Sequence, residues 1–316
     1  MAAASIELNN KLTCPQLGLG TWQSAPGDIY NAVKHAISIG YRHIDCAWIY
    51  GNEKEVGRAI KEKIEDKTVT REELFIVTKL WNLFHSRNQV VPACKESLSN
   101  LGLDYIDLYL VHWPVAQTIS EIKTIDLSLI KDANFVDVDY VETWEGMEDC
   151  VRLGLAKSIG LSNFNTKQVR RVLDHAKIKP VMNQIEVSPN LTQKKLIKFC
   201  KDNDIAVTAY SPLGSPARPW AKPGDGVVSL DNPQIVSIGE KYGKTSAQVI
   251  LRFLVQIGTI PIPKSSNKER VEKNIDIFDF ELTPEEVKVL ESFNCDGRAV
   301  PADDFKASKY FPFNED

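Results

Sequence analysis

Asp45, Lys79 and His112 each close a short apolar run, and Tyr50 follows the first of them by five residues. A phenol with an ordinary pKa of about 10 is a reluctant proton donor at neutral pH. A neighbouring Lys79 ammonium would favour the phenolate and lower that pKa, and Asp45 would keep the lysine charged and in place. His112 could donate a hydrogen bond to a substrate oxygen and orient it. Together these groups would deliver a proton to an oxygen that is gaining negative charge. The sequence shows no nucleophilic Ser or Cys paired with a base, no carboxylate pair suited to glycoside hydrolysis and no His/Asp/Glu metal set. Protonation of a carbonyl oxygen needs a hydride from elsewhere, which points to a nicotinamide cofactor. Each residue also has a plainer reading. Lys79 could snorkel to the surface, His112 could be a core histidine at the tight exit His112-Trp113-Pro114, Asp45 could cap a helix, and Tyr50 could be a half-buried loop aromatic. His35, His43, His85 and His175 receive no role.

The elements that must position these groups follow a repeating cycle. Strands are expected to begin at Leu17, Arg42, Leu74, Tyr105, Ala156, Val181, Ile205 and Thr259. Between them, helical spacing marks 29–39, 56–64, 90–101, 141–153, 166–176, 191–203, 235–242 and 246–256. Consecutive apolar strands separated by helices imply a parallel sheet covered on both faces. Eight such units in one chain imply a closed (β/α)8 TIM barrel. The alternative, an open doubly wound sheet, would need a glycine-rich first turn; Leu17-Gly18-Leu19-Gly20-Thr21-Trp22 lacks the third glycine and an immediate helix. An N-terminal β-hairpin is expected around Asn9-Asn10. Long loops are expected after strands four (115–140) and seven (212–233), and a C-terminal loop after a helix at 282–290. In this fold the site lies at the C-terminal ends of the strands. The polar residues there are Asp45, Lys79, His112, Ser162, Asn163, Gln184, Tyr210, Ser211 and Lys264. Trp22, Trp48, Trp81, Trp113 and Trp220 fall at the same end or on the long loops and suggest an apolar mouth.

Length and composition bound the rest. The 316 residues read as one domain, 1–316, with no linker or repeat. A net charge of −4 provides no basic field for nucleic acid or a membrane surface. The start Met1-Ala-Ala-Ala-Ser5 lacks the features of a secretory signal, and no apolar run is long enough to span a bilayer. The six cysteines are scattered without CxxC spacing, so reduced, buried core thiols in a cytoplasmic protein are expected.

Three blocks carry a family resemblance: Gly40-Tyr-Arg-His-Ile-Asp-Cys-Ala47 followed by Glu53 and Gly57, then Gly160-Leu-Ser-Asn-Phe164, then Ile262-Pro-Lys-Ser265. With them the chain resembles the aldo-keto reductase superfamily, and most of all its aldose/aldehyde reductase branch, over nearly its whole length. The resemblance implies a (β/α)8 barrel, NADPH as cofactor, reduction of aldehydes or ketones, a catalytic tetrad of Asp45, Tyr50, Lys79 and His112 with Tyr50 as the acid, and commonly a monomer. It implies that Ser162, Asn163 and Gln184 bind the carboxamide and that Tyr210 stacks on the nicotinamide. Ser211, Leu213 and Ser215 would meet the pyrophosphate, Lys264, Ser265 and Arg270 the 2′-phosphate, and Asn274 the adenine. Gly20, Thr21, Trp22, Asp45, Ser266 and Asn267 complete the expected cofactor contacts. Trp22, Trp48, Ile49, Tyr50, Trp81, His112, Trp113 and Trp220 are the expected substrate contacts. Two cations near Ser265 suit a phosphate dianion, which favours NADPH over NADH.

The chain departs from the pattern in three places. Gln23 and Ala217 stand where an ionic pair often latches the long loop over the cofactor, which suggests a looser loop and faster cofactor release. Lys273 stands where a glutamate usually contacts adenine. Trp48 stands where the aldose reductase branch has a histidine, and the tail from Cys295 to Asp316 diverges, which bears on substrate choice. A steroid-type or other bulky ketone is an alternative substrate. A cofactor-binding regulatory or structural protein on the same fold is an alternative of a different class.

Overall fold

The computed structural model describes residues 4–24, 27–122, 124–125, 128–216, 218–221 and 230–314. A hairpin, β1 (Ser5–Glu7) and β2 (Thr13–Pro15), opens the chain. The barrel strands are β3 (Leu19–Gly20), β4 (His43–Asp45), β5 (Phe75–Leu80), β6 (Ile106–Val111), β9 (Ala156–Ser162), β10 (Met182–Glu186), β11 (Ala206–Tyr210) and β12 (Thr259–Pro261). They form one parallel eight-stranded sheet in that order. The last strand returns to the first: the amides of Gly18 and Gly20 donate to the carbonyls of Pro261 and Pro263, at 3.1 and 3.2 Å, and Gly20 bridges Lys264. The expected barrel is therefore observed, and β4, β5, β6 and β10 are buried along their whole length, as strands covered on both faces must be.

The helices are α1 (Asp28–Ser38), α2 (Glu53–Glu65), α3 (Arg87–Leu101), α4 (Ser128–Asp132), α5 (Tyr140–Arg152), α6 (Thr166–His175), α7 (Lys194–Asp202), α8 (Pro233–Tyr242), α9 (Ser246–Gln256), α10 (Lys268–Ile275) and α11 (Pro284–Glu291). Reciprocal side-chain caps, in which the N-cap and N3 residues each bond the other's backbone amide, start α6 (Asn165/Gln168), α9 (Thr245/Gln248) and α11 (Thr283/Glu286). One face of each barrel helix buries against the sheet; on α1 it is Ile29, Ala32, Val33, Ala36 and Ile37. No helix among the described residues is long and apolar enough to cross a membrane.

Several expected boundaries shift. The first strand, expected from Leu17 to its closing glycine, comprises only Leu19–Gly20, although the Gly18 amide also bonds the Pro261 carbonyl of the last strand. The helix expected from Leu191 starts at Lys194, since Leu191 bridges back to Ser188. α10 was not expected. The loop after β6 carries a small antiparallel pair, β7 (Gln117–Thr118) with β8 (Asn134–Phe135), besides α4. Of the long loop after β11, Ala217 and residues 222–229 lie outside the described residues. Five cysteines are buried as expected; Cys295 is exposed, which corrects its assignment to the core.

Candidate active site

The barrel brings Asp45, Tyr50, Lys79 and His112 together. Asp45 is the last residue of β4, and Lys79 lies on the neighbouring β5, whose Val77 is in register with Asp45. Lys79 is 0% exposed, which rules out a surface lysine. Its three donors are directed to Asp45 Oδ1 at 2.5 Å, the Cys46 carbonyl at 2.8 Å and the Tyr50 hydroxyl at 3.4 Å. The other oxygen of Asp45 accepts from Gln184 Nε2, on β10 across the barrel, at 2.7 Å. Both carboxylate oxygens are thus committed within the barrel, and the N-cap position of α2 is held by Asn52, so Asp45 is no helix cap. Tyr50 closes a single helical turn, Trp48–Tyr50. Gly51 ends that turn at φ 67, and an added Cβ there would lie 2.6 Å from the Ile125 carbonyl oxygen, so only glycine serves. His112, just beyond β6, meets the Tyr50 ring edge-on with centroids 5.9 Å apart.

The electrostatics differ in part from expectation. Burial raises the Tyr50 pKa and outweighs the opposing pull of Lys79, so the free protein holds a firmly protonated phenol. Burial works against the Lys79 charge, yet Asp45 and Tyr50 together move its pKa above that of an ordinary lysine. Burial first, and the Lys79 charge second, push His112 well below the usual histidine range, leaving a neutral imidazole. Its Nδ1 is buried and has no partner among the described residues.

The other strand ends form a polar rim. Ser162 Oγ donates to the Gln184 carbonyl at 2.9 Å, and Asn163 Nδ2 to the His112 carbonyl at 3.0 Å. The Tyr210 hydroxyl donates to Asn163 Oδ1 at 2.7 Å. Asn163, Ser211 and Ser215 all have positive φ, and the two serine hydroxyls pair at 2.8 Å. Non-glycine residues in that region cluster where a site constrains the backbone. Leu213 packs partly buried beside them. Thr21 Oγ1 donates to the Asp45 carbonyl at 2.8 Å, and Gly20 lies at the barrel seam.

A second cluster lies where β12 leads into α10. Lys264 donates to the Gln23 carbonyl at 2.9 Å. Ser265 Oγ accepts from the Asn267 amide, and Asn267 caps α10 through the Arg270 amide; Ser266 lies between them and Asn274 is buried. Lys264, Lys268 and Arg270 form no ion pair among the described residues. Lys273, by contrast, is paired with Glu269 at 2.7 Å.

Aromatic rings wall the mouth. Trp81 and Trp113 flank His112, with centroids 5.3 and 6.4 Å away. Trp22 meets Trp220 at 5.8 Å, and Ile49 is buried beside Trp48. Trp48 is only 3% exposed and its indole donates to Glu96 at 2.7 Å, so it is tied toward α3 rather than free in the pocket. The sequence reading missed Phe305 and Phe313 of the tail, which pack on Trp113. It also missed Glu186, which accepts from the amides of Ala299 and Val300 at 2.5 and 2.9 Å and so fastens the C-terminal loop to the end of β10. A carboxylate at the end of an expected strand was the available signal.

The Aldo/keto reductase family model matches residues 16–294. A zebrafish (Danio rerio) relative, aldo-keto reductase family 1 member A1-A, is 47% identical over 298 residues, covering 94% of this chain and 91% of that protein. Mouse (Mus musculus) aldo-keto reductase family 1 member A1 is 43% identical over 331 residues, covering 100% and 99%. The crystal structure of a Bombyx mori aldo-keto reductase (AKR2E4), a complex with NADP, has a TM-score of 0.90 at 45% identity and covers 99% of both chains. That of the Schistosoma japonicum aldose reductase has a TM-score of 0.89 at 38% identity and likewise covers 99% of both. A family model spanning most of the chain, relatives this similar over their full length and a shared barrel lead to one conclusion: the chain belongs to the aldo/keto reductase family.

Proposed function

We propose that this chain reduces aldehydes or ketones to alcohols with NADPH, and that Tyr50 gives the proton. The observation that carries the reading is the fully buried Lys79 ammonium, bonded to Asp45 and within reach of the Tyr50 hydroxyl beside a neutral His112. The donor set at the strand ends fits the cofactor. Ser162, Asn163 and Gln184 offer hydroxyl and amide groups for a carboxamide, and Tyr210 offers a ring for stacking. Lys264 and Arg270, with Ser265, Ser266 and the N-cap Asn267 at the start of α10, offer cations and donors for a phosphate. Gly20, Thr21, Trp22, Ser211, Leu213, Ser215 and Asn274 would complete the cradle. When bound, NADPH supplies the hydride that the carbonyl carbon receives.

The protein's own residues do the rest. Neutral His112 can donate one ring N–H to the carbonyl oxygen, which orients it toward the phenol. As charge grows on that oxygen, Tyr50 gives up its proton, and the Lys79 ammonium stabilises the phenolate left behind. Asp45 keeps Lys79 charged against the cost of burial. Trp22, Ile49, Trp81, Trp113 and Trp220 exclude water and suit a carbonyl compound with an apolar body.

The test is NADPH oxidation followed by absorbance against an aromatic aldehyde, a sugar aldehyde, an α-dicarbonyl and a steroid ketone. Turnover with one class is expected and ranks the pocket's preference. No turnover with any, alongside tight NADPH binding, would favour a binding protein instead. The same reading makes the chain a single-domain cytoplasmic monomer, so gel filtration should give the mass of one chain.

A further inference from the structure

One buried carboxyl has no part in the mechanism above. Glu53 is the first residue of α2 and is 3% exposed. It forms no ion pair among the described residues. Its Oε1 accepts from Thr78 Oγ1 at 2.6 Å and its Oε2 from Asn100 Nδ2 at 3.1 Å. Burial raises its pKa against the hydrogen bonds that lower it, first among them those from Thr78 and Asn100. Thr78 precedes Lys79 on β5. Successive strand residues face opposite ways, so Lys79 points into the barrel and Thr78 outward to the helix layer.

Tyr50 lies on an excursion, residues 46–52, between β4 and α2. Its near end is held where Lys79 bonds Asp45 and the Cys46 carbonyl. At its far end, Asn52 Nδ2 donates to the Thr21 carbonyl at 2.9 Å, and Thr21 Oγ1 donates in turn to the Asp45 carbonyl at 2.8 Å. Glu53 provides the link that returns this path to β5. The contacts therefore close a circuit, Asp45–Thr21–Asn52–Glu53–Thr78–Lys79–Asp45, around the loop that carries Tyr50. The one contact the circuit must preserve is slack: Lys79 Nζ to the Tyr50 hydroxyl is 3.4 Å, near the limit of a hydrogen bond.

We propose that Glu53 is a positioning residue for Tyr50: bonded to Thr78, it pins the far end of the tyrosine's loop to the strand that carries Lys79. The inference rests on the reading of Tyr50 as proton donor. It concerns bond geometry rather than charge, so glutamine should replace glutamate and alanine should not.

The experiment compares wild type, Glu53→Ala and Glu53→Gln by steady-state kinetics, NADPH binding and crystal structures. Glu53→Ala should lower kcat by about 10- to 100-fold, as expected when a reacting group is displaced by about 1 Å, with little change in NADPH affinity. Tyr50 should move out of reach of Lys79 in its crystal structure. With the ammonium's pull weakened, the alkaline limb of the kcat profile should move up by about one pH unit. Glu53→Gln should restore all three. Should Glu53→Ala fail to fold, Thr78→Val breaks the same bond from the other side and should reproduce its effects. A Tyr50 hydroxyl that keeps its wild-type distance from Lys79 in the alanine variant would overturn the proposal, as would a glutamine variant as impaired as the alanine one. Absence of turnover in the wild type would instead sink the proton-donor reading, and the crystal comparison would still decide the clamp.

Discussion

The Lys79–Asp45 pair is buried on both sides, and removing one partner strands the other. Lys79→Met leaves the Asp45 carboxylate without a counter-ion in the barrel interior. That should destabilise the fold by about 3–5 kcal/mol, read from urea unfolding. The same change should lower kcat by about 10²- to 10⁴-fold, because no cation then stabilises the phenolate. The pH dependence of reduction follows from the two neighbouring groups. Tyr50 is held above its ordinary pKa by burial and His112 well below its own. In the free enzyme neither titrates between about pH 6.5 and 9, so kcat/KM for the carbonyl substrate in that interval should show no limb from either. A limb near pH 6.5 abolished by His112→Gln would contradict this.

At the scale of elements, α2 and α3 approach so closely that Gly57 has no room for a side chain: an added Cβ would lie 2.2 Å from the Leu101 carbonyl oxygen. Gly57→Ala must push the two helices apart, at a cost of about 1–3 kcal/mol or more. A melting temperature unchanged by the substitution would show that the helices can yield there. The C-terminal loop is another element with a defined fastening, since Glu186 takes the Ala299 and Val300 amides and the Ala299 carbonyl accepts the Trp220 indole N–H at 2.6 Å. Glu186→Ala should loosen that wall and raise KM for an aromatic aldehyde more than for a small α-dicarbonyl; equal changes in both would count against it.

These elements also show what could be read from sequence. Asp45, Lys79 and His112 were legible because each is a charged or titratable group following a short apolar run of the sequence, and the closed barrel was legible in the eight-fold alternation. α10 was not: Lys-Glu-Arg-Val-Glu-Lys-Asn-Ile carries few apolar residues, and only Val271 and Asn274 are buried. The two-residue strands β7 and β8 are too short to show a period. The partners of Glu53 lie 25 and 47 residues away, and nothing local announces them. Tyr50's raised pKa was missed because the neighbouring lysine is visible in sequence and the depth of burial is not.

At the scale of the whole molecule, stability should depend on pH through buried histidines. Burial lowers His43 to about 4, His85 to about 3 and His112 well below the usual value near 6.5. The unfolded chain therefore binds more protons than the folded one below about pH 6.5, and stability must fall as pH falls through that window. The limit is about 1.4 kcal/mol per pH unit for each histidine. Glu53, Glu186 and Asp107 have raised pKa values and oppose this, because the folded state then holds protons that the unfolded state has lost. His85→Gln removes one of these histidines, so between about pH 5 and 6.5 its urea midpoint should change less steeply with pH than that of the wild type, and equal slopes in the two proteins would refute the assignment of a neutral, buried His85.

The central claim is that Tyr50 protonates the substrate oxygen while other residues hold the cofactor. Tyr50→Phe keeps the ring and removes only the hydroxyl. Carbonyl reduction and NADPH binding, the latter by quenching of protein fluorescence, should be measured side by side in this variant and the wild type. The account predicts that reduction falls by at least about 10²-fold while the NADPH dissociation constant stays within about threefold. Reduction that persists at the wild-type rate would contradict it, as would a loss explained wholly by failure to bind NADPH.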